Sequence, residues 1–275
     1  MPATILAHQA LVLPLKMRWP RWFSGLALCI GSMAPDFEFI GRMSHDWLYS
    51  HTLAAQAWFS MPITMLLVWL LTRFIIPVLL PYLRNHAVWQ WHDLSALECP
   101  STAEAWLRVA WSGWLGGVSH VLLDGITHGN HSGWLVPLFP VLRTPVWNVG
   151  GVMPLHDALQ QWLTLSFGVA SWCMLRRISK RRLLWRWREC AERPLTRMPR
   201  SAGIALLRLI GGASLVGALT GCALRQGSTK AMAAGMAFGA LDFAAFTMLV
   251  AALTLRRVPL NLRTTRLGIF AASAD

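Results

Sequence analysis

Histidine and carboxylate residues recur beside hydrophobic runs in the first half of this chain. The clearest group reads His-Val-Leu-Leu-Asp-Gly-Ile-Thr-His-Gly and runs from His120 to Gly129. Residues four apart on a helix lie on one face, so His120 and Asp124 project together. His128 joins them if the helix continues past Gly125. Neutral imidazoles and carboxylates suit Zn²⁺, Mn²⁺ or Fe as ligands. The spacing therefore predicts part of a metal site.

Three further segments carry side chains of the same types. Asp36 and Glu38 lie in the motif Gly-Ser-Met-Ala-Pro-Asp-Phe-Glu, and His51 begins another apolar run, while His8 stands near the start of the chain. Burying several polar groups without partners in or near a membrane is costly, whereas a cation would satisfy all of them. The predicted ligands of one divalent metal, or of two at the roughly 3.5–4 Å spacing of dinuclear hydrolases, are His8, Asp36, His51, His120, Asp124 and His128.

Each of these residues also has a plainer interpretation. A histidine at a membrane interface is usually only a polar residue, and Pro-Asp at a helix end is often a turn. The same cluster could simply join three helices of a structural membrane protein. His45 is a possible further ligand. The remaining histidines are interpreted as loop residues without organised partners, and they are His86, His92, His131 and His156.

The elements that must position these residues are hydrophobic helices. Hydrophobic residues make up 55% of the 275 residues and charged residues only 13%, whereas soluble domains carry about 25% charged residues. The sequence predicts an all-α, polytopic transmembrane helical bundle with five long spans plus a short N-terminal helical hairpin. The predicted spans are 54–83, 106–124, 157–175, 202–224 and 231–255, and the hairpin comprises 3–15 and 21–35.

Basic residues orient these spans. Ten of the 25 lysines and arginines lie between Arg176 and Arg200, and cytoplasmic loops are enriched in such residues. If 176–201 is cytoplasmic, the basic turn at 16–21 and the C-terminal tail fall on the same side. The histidine and carboxylate segments then share the outer side. We interpret the net charge of +13 as a topology signal that also suits anionic lipid headgroups, rather than as a sign of nucleic-acid binding.

Three regions follow from this topology. Residues 1–156 are membrane helices with the candidate metal site, and 157–256 are membrane helices with the basic cytoplasmic loop at 176–201. Residues 257–275 form a basic cytoplasmic tail. Small residues at four-residue spacing, such as Gly217 with Gly221, predict close packing of helices.

The motifs resemble the bacterial membrane family catalogued as domain of unknown function 4184. Its members similarly open with Met-Pro-x-Thr and an early His, and carry Gly-Ser-Met-Ala-Pro-Asp-Phe-Glu, Ser-His and His-x-x-x-Asp-x-x-Thr-His-Gly. The matching residues here are Met1 to Thr4 with His8, Gly31 to Glu38, Ser50-His51, and His120 to Gly129. The resemblance is close over 1–135 and beyond that concerns mainly the pattern of spans.

The order of these residues is also similar to that of predicted membrane-bound metal-dependent hydrolases, a distant group that resembles zinc phospholipase C in its ligand pattern. This chain has Glu38 where those hydrolases usually have a second Asp, and His45 where they often carry Arg.

The resemblance implies an integral membrane metal-dependent hydrolase of the bacterial inner membrane, with its site toward the periplasmic or extracellular face. The expected cofactor is Zn²⁺, with Mn²⁺ or Fe as alternatives. The expected partners are membrane lipid and an amphipathic substrate, such as a phosphoester in a lipid or lipid-linked molecule. Glu38 is a further ligand or the base that takes a proton from water. The alternatives are a metal-binding transporter and a non-catalytic structural membrane protein.

Overall fold

The computed structural model describes residues 7–38, 49–148, 151–188, 197–224 and 229–256, which are mainly helical. The helices are α1 (Gln9–Arg18), α2 (Gly25–Gly31), α3 (Gln56–Tyr82), α4 (Ala103–Thr127), α5 (Leu155–Lys180), α6 (Leu183–Arg188), α7 (Arg200–Leu224) and α8 (Thr229–Arg256). Short 3₁₀ segments occupy Ala34–Asp36, Tyr49–His51, Trp91–Ala96 and Pro140–Arg143.

One feature of the fold departs from the all-helical prediction. Strands β1 (Pro145–Asn148) and β2 (Gly151–Pro154), which immediately precede α5 along the chain, pair antiparallel. Gly151 has a φ of +102°, a conformation that glycine adopts without the steric cost of a side chain. Four-residue strands carry too short a pattern to be recognised by alternation of apolar and polar residues.

Within the described residues, three helices are long and apolar enough to cross a membrane: α3, α7 and the part of α8 from Gly235 to Arg256. The prediction of five long spans is therefore not confirmed. Helices α4 and α5 have 25 and 26 residues and cover the other two predicted segments. They are less apolar, because α4 contains several Trp, Gly and Ser residues and α5 begins with polar residues.

The described chain divides into two compact units. The first comprises residues 3–68 and 100–175, and the second comprises 69–99 and 176–275. All the described candidate ligands lie in the first unit. Its hairpin corresponds to α1 and α2, and Lys16 stabilises the turn between them by donating hydrogen bonds to the carbonyl oxygens of Pro20 and Phe23 at 2.6 and 2.9 Å.

Glycines let α2 lie against the backbone of α4. A methyl group on Gly116 would lie 2.6 Å from the Ser32 nitrogen and 2.7 Å from the Leu28 oxygen, so only glycine fits there. The Ser24 N–H also donates to Ser112 Oγ at 2.9 Å. This close approach brings the residues after α2 next to the last turns of α4.

The start of α3 is anchored in the same unit. Its first turn, Gln56–Ser60, is π-helical, an irregularity that is frequent at functional sites. The buried Gln56 amide donates to the carbonyl oxygens of Ser50 and Thr52, both at 2.7 Å. It thereby fixes the backbone on both sides of His51.

In the second unit, α7 and α8 pack through the predicted small residues. Gly217 lies against Gly239, and Gly221 against Gly235, so closely that an added methyl group would clash with the facing carbonyl groups. The close packing predicted from the spacing is thus confirmed. A hydrophobic core joins the end of α3 to both helices, through residues that include Tyr82, Leu206 and Ala252.

Candidate metal centre

Five of the six predicted ligands converge in the first unit. His8, His120 and Asp124 form one group, and Asp36, His51 and His120 form a second, with ligand atoms within 4.8 Å of one another in each. All five residues are buried. The helix α4 continues to Thr127, so the condition for His128 to join its neighbours is also met.

Four of these side chains form a closed ring of alternating nitrogen and oxygen atoms. His51 Nε2 lies 3.5 Å from Asp36 Oδ1, which lies 3.6 Å from His120 Nε2. His120 Nε2 lies 3.1 Å from Asp124 Oδ2, which returns to His51 Nε2 at 3.5 Å. Two carboxylates and two imidazoles thus point their ligand atoms at one place.

The sides of this ring match the spacing of ligands around a metal. First-row metals bind His nitrogen and carboxylate oxygen at about 2.0–2.2 Å, which separates neighbouring ligand atoms by roughly 2.8–3.6 Å in octahedral or tetrahedral coordination. All four sides of the ring fall in that range. Residues from three separate stretches of the chain meet in this way.

In a neutral His120 ring, the nitrogen that faces the carboxylates is the one without a proton. His120 Nδ1 lies 2.8 Å from the carbonyl oxygen of Ser32. A carbonyl oxygen only accepts, so Nδ1 carries the proton and Nε2 of a neutral ring presents its lone pair. Nε2 is buried and has no hydrogen-bond partner in the described part of the chain. Metal-binding histidines characteristically donate their other N–H in this manner.

A hydrogen bond at Nδ1 also orients the ring of His51. Ser50 Oγ donates to the carbonyl oxygen of Pro35 at 2.8 Å and lies 3.1 Å from His51 Nδ1. Because the hydroxyl proton is already given to Pro35, its oxygen accepts from His51 Nδ1–H. In the neutral ring, the Nε2 atom of His51 therefore also turns its lone pair toward Asp36 and Asp124.

This arrangement requires positive charge between the imidazoles and the carboxylates. Lone pairs of neutral imidazoles facing carboxylate oxygens repel, so either protons or a cation must sit between them. Burial favours the neutral acid of Asp36, but the facing His120 and His51 outweigh it and lower the pKa of Asp36. Burial disfavours the charged ring of His51, but hydrogen bonds to Asp124 and Asp36 raise the pKa of His51. Protons and a cation therefore compete for one site.

His8 and His128, the two predicted ligands outside the ring, contact the other carboxylate oxygen of Asp124, Oδ1. His8 Nε2 is 3.6 Å and His128 Nδ1 is 3.5 Å from Asp124 Oδ1. The ring of His8 stacks on that of His120, with centroids 3.8 Å apart. Burial lowers the pKa of His128, which favours its neutral, metal-binding form.

Glu38, the predicted further ligand or base, lies outside the ring of four ligands. Its Oε2 accepts a hydrogen bond from the Ser50 N–H at 2.8 Å, and its side chain is half-buried. Among the described residues it belongs to neither ligand group. Glu38 therefore fixes the backbone next to His51, and its role as a base stays a prediction. His45 lies outside the described residues.

Two of the predicted loop histidines have organised surroundings. His92 is buried and its Nε2 lies 2.9 Å from the Leu83 oxygen. His156 is buried, its Nδ1 lies 3.1 Å from Asp157 Oδ1, and its ring leaves room only for a glycine at position 129. The interpretation of both as partnerless loop residues is wrong. The contacts of His92 with Leu83 and of His156 with Gly129 depend on the fold, whereas Asp157 is the next residue along the chain.

Sequence reasoning missed the residues that orient the ligands. The carbonyl oxygen of Ser32 carried no signal, because a backbone atom has no residue type. Gln160 of α5 contacts His128 Nε2 at 2.9 Å, and it belongs to no motif. Ser50 was visible as part of Ser-His, but its bridge to Pro35 was not.

Comparison with known proteins identifies the family. A family model described as "Domain of unknown function (DUF4184)" matches residues 1–256. The match covers nearly the whole chain, and the chain therefore belongs to this family. No curated protein and no solved structure matches the chain.

Proposed function

We propose that this member of the DUF4184 family is an integral membrane metal-dependent hydrolase that acts on a phosphoester in a lipid or lipid-linked molecule. The observation that carries the proposal is the closed ring of Asp36, His51, His120 and Asp124, with both histidines turned by hydrogen bonds to present Nε2.

The donor set favours Zn²⁺, with Mn²⁺ or Fe as alternatives. Two imidazoles and two carboxylates provide nitrogen and hard oxygen ligands without a thiolate. When bound, such a cation acidifies a coordinated water molecule and neutralises charge on a phosphoryl oxygen. The carboxylates of Asp36 and Asp124 balance its two positive charges.

The remaining chemistry belongs to residues of the chain. Glu38 is the proposed base: Oε2 is fixed by the Ser50 N–H, and Oε1 takes the proton of the attacking water. Such a base typically contributes about 10²–10⁴-fold to the rate. The Ser32 oxygen and Ser50 Oγ keep the two imidazoles in place, and burial of the ring limits the access of water.

The membrane setting supports an amphipathic substrate. Three helices in the described part of the chain are apolar enough to cross a bilayer. Large exposed tryptophans such as Trp22, Trp58 and Trp147 lie in the unit that carries the site. Tryptophan is enriched at membrane interfaces. We extend the proposal to five spans in a bacterial inner membrane, with the C-terminus cytoplasmic and the site on the periplasmic or extracellular face.

The test uses the purified full-length chain in detergent and a panel of phospholipid phosphomonoesters and phosphodiesters in mixed micelles. Turnover should be lost with a chelator and restored by Zn²⁺ or Mn²⁺. In Glu38→Gln the amide oxygen still accepts from Ser50 N–H, so metal should be retained while turnover falls by about 10²-fold or more.

The control is Thr52→Ala, which removes a hydroxyl that caps Ala55 N–H outside the ring and should leave turnover unchanged. A wild-type protein that holds its metal but cleaves none of the panel would contradict the hydrolase proposal and favour a metal-handling protein. Unchanged turnover in Glu38→Gln would exclude Glu38 as the base.

A further inference from the structure

The carboxylate of Asp124 presents a separate pair of imidazoles to each of its oxygens. Oδ2 faces His120 and His51 at 3.1 and 3.5 Å. Oδ1 faces His128 and His8 at 3.5 and 3.6 Å. Asp124 takes part in the ring of four ligands only through Oδ2. The contacts of Oδ1 with His128 and His8 therefore lie outside that ring.

We propose that Asp124 bridges two divalent cations, the first in the ring through Oδ2 and the second bound by His8 Nε2, His128 Nδ1 and Oδ1. This inference rests on the proposed function, because it needs the first cation, and it adds a second ligand set and a bridging role. Bridged cations in dinuclear hydrolases lie roughly 3.5–4 Å apart.

The stacked pair of His8 and His120 sets that spacing. Their rings are nearly parallel, with centroids 3.8 Å apart and an angle of 17° between the planes. The Nε2 atom of each ring faces a different oxygen of the same carboxylate. Because both Nε2 atoms contact the same carboxylate from stacked rings, cations bound to them would lie about one stacking distance apart, which agrees with the dinuclear spacing.

Burial and charge also favour a cation beside Oδ1. His8 is 3% exposed, and its Nδ1 has no hydrogen-bond partner within the described residues. A charged His8 ring buried against the stacked His120 ring is costly, which favours the neutral ring. If Nδ1 carries the proton of that neutral ring, Nε2 presents its lone pair to a cation beside Asp124 Oδ1.

His128 is the most exposed ligand of the proposed second metal position. Its side chain is 20% exposed, against 0–4% for His8, His51 and His120. A cation held there remains reachable from outside while the first is enclosed. Paired cations of this kind suit phosphoesters, since each can neutralise charge on an oxygen of the reacting group.

Gln160 sets which nitrogen of His128 binds. The amide nitrogen of Gln160 lies 2.9 Å from His128 Nε2, and in this orientation it donates to a ring whose proton is on Nδ1. If the amide rotates by 180° and turns its oxygen to Nε2, Nε2 carries the proton and Nδ1 presents its lone pair to the cation; the two amide orientations have the same shape. Thr127 Oγ1 donates to the Leu123 oxygen and lies 3.1 Å from His128 Nδ1, so it accepts from Nδ1–H in the metal-free ring. Binding of the cation at Nδ1 therefore requires that the ring proton moves to Nε2. Gln160 is thus a positioning residue.

The test is a Mn²⁺ titration of the metal-free, full-length protein in detergent, followed by metal analysis and electron paramagnetic resonance. Wild type should bind two Mn²⁺ per chain, with the spectrum of an exchange-coupled pair. His8→Ala and His128→Ala should each bind one, with an uncoupled spectrum. Substitutions of Asp124 would remove a ligand from both metal positions, so they would not distinguish one position from the other.

Matched variants separate binding from folding. His131→Gln changes an exposed histidine of the neighbouring loop and should keep both Mn²⁺. Gln160→Glu, which can only accept from His128 Nε2–H, should keep the coupled pair. Gln160→Leu should weaken the second binding step by about 10–100-fold without changing the first, and it serves if the histidine variants fail to fold.

Each stoichiometry has a distinct meaning. Two coupled ions in wild type and one in the His8 and His128 variants support the bridge. One uncoupled ion in wild type overturns the second position but leaves the proposed hydrolase site intact. Two ions that persist in both histidine variants also overturn it. No bound ion overturns the proposed metal function as well.

Discussion

His120 Nδ1 lies 2.8 Å from the carbonyl oxygen of Ser32, although the two residues are 88 positions apart in the chain. A ligand on α4 is thus oriented by the backbone at the end of α2. The orientation depends on the close approach of these helices, and therefore on glycines that lie outside the ligand set.

Substitution at Gly116 should damage the metal centre from a distance. A methyl group there would lie 2.6–2.8 Å from backbone atoms of Ser32, Leu28 and Gly31, and backbone cannot move aside as a flexible side chain does. We expect Gly116→Ala to lower the free energy of unfolding by about 1–3 kcal/mol and to weaken metal binding. Unfolding in detergent and metal titration measure the two effects.

The control for this prediction is Gly168→Ala in α5, where an added methyl group meets nothing within 4 Å. Replacing such a helical glycine typically stabilises by about 0.5–1 kcal/mol. If Gly116→Ala behaved like Gly168→Ala in both measurements, the close contact would not position His120.

The hydroxyl of Ser50 should control the affinity of the metal through His51. Ser50→Ala removes the bridge between His51 Nδ1 and the Pro35 oxygen. Loss of such an outer partner commonly costs about 10–100-fold in metal affinity, and we expect a loss of that size by competition with a chelator. Thr52→Ala removes a hydroxyl that caps Ala55 N–H and donates to the Tyr49 oxygen but contacts neither imidazole, so this variant should keep the wild-type affinity. Equal losses in both variants would contradict the assigned role of Ser50.

The packing of α7 on α8 should matter for stability and not for the metal. A methyl group on Gly217 would lie 2.7 Å from the Gly239 carbonyl carbon and 2.8 Å from Phe243 Cβ. Gly217→Ala should therefore unfold more easily by about 1–3 kcal/mol, while Gly212→Ala, with nothing within 4 Å, should not. Metal content should be the same in both variants, and a selective loss in Gly217→Ala would contradict the division of the chain.

Much of the site follows from spacing along the chain. The four-residue separation of His120 and Asp124 puts them on one face of a helix whatever lies around it. The need to satisfy several buried polar residues predicts that Asp36 and His51 join them. These arguments depend only on residue types and on helical geometry, and the structure brings the groups together as expected.

The features of the site that the sequence did not predict depend on contacts between residues that are distant along the chain. The Ser32 oxygen reaches His120 only because α2 packs closely on α4, and Gln160 reaches His128 from a helix with no motif. The division of the imidazoles between the two oxygens of Asp124 is a matter of side-chain orientation. Helices α4 and α5 were predicted as long spans from length, but their Trp, Gly and polar residues lower their hydropathy.

The most direct test of the account is the metal content of the purified full-length protein after loading with Zn²⁺ and removal of free metal. Wild type should retain at least about one ion per chain, and the variant with both His51→Gln and His120→Gln should retain none. His92→Gln, which changes a buried histidine bonded to the Leu83 oxygen, should retain as much as wild type. A wild-type protein that holds no stoichiometric Zn²⁺, Mn²⁺ or Fe, or a double variant that binds as much metal as His92→Gln, would contradict it.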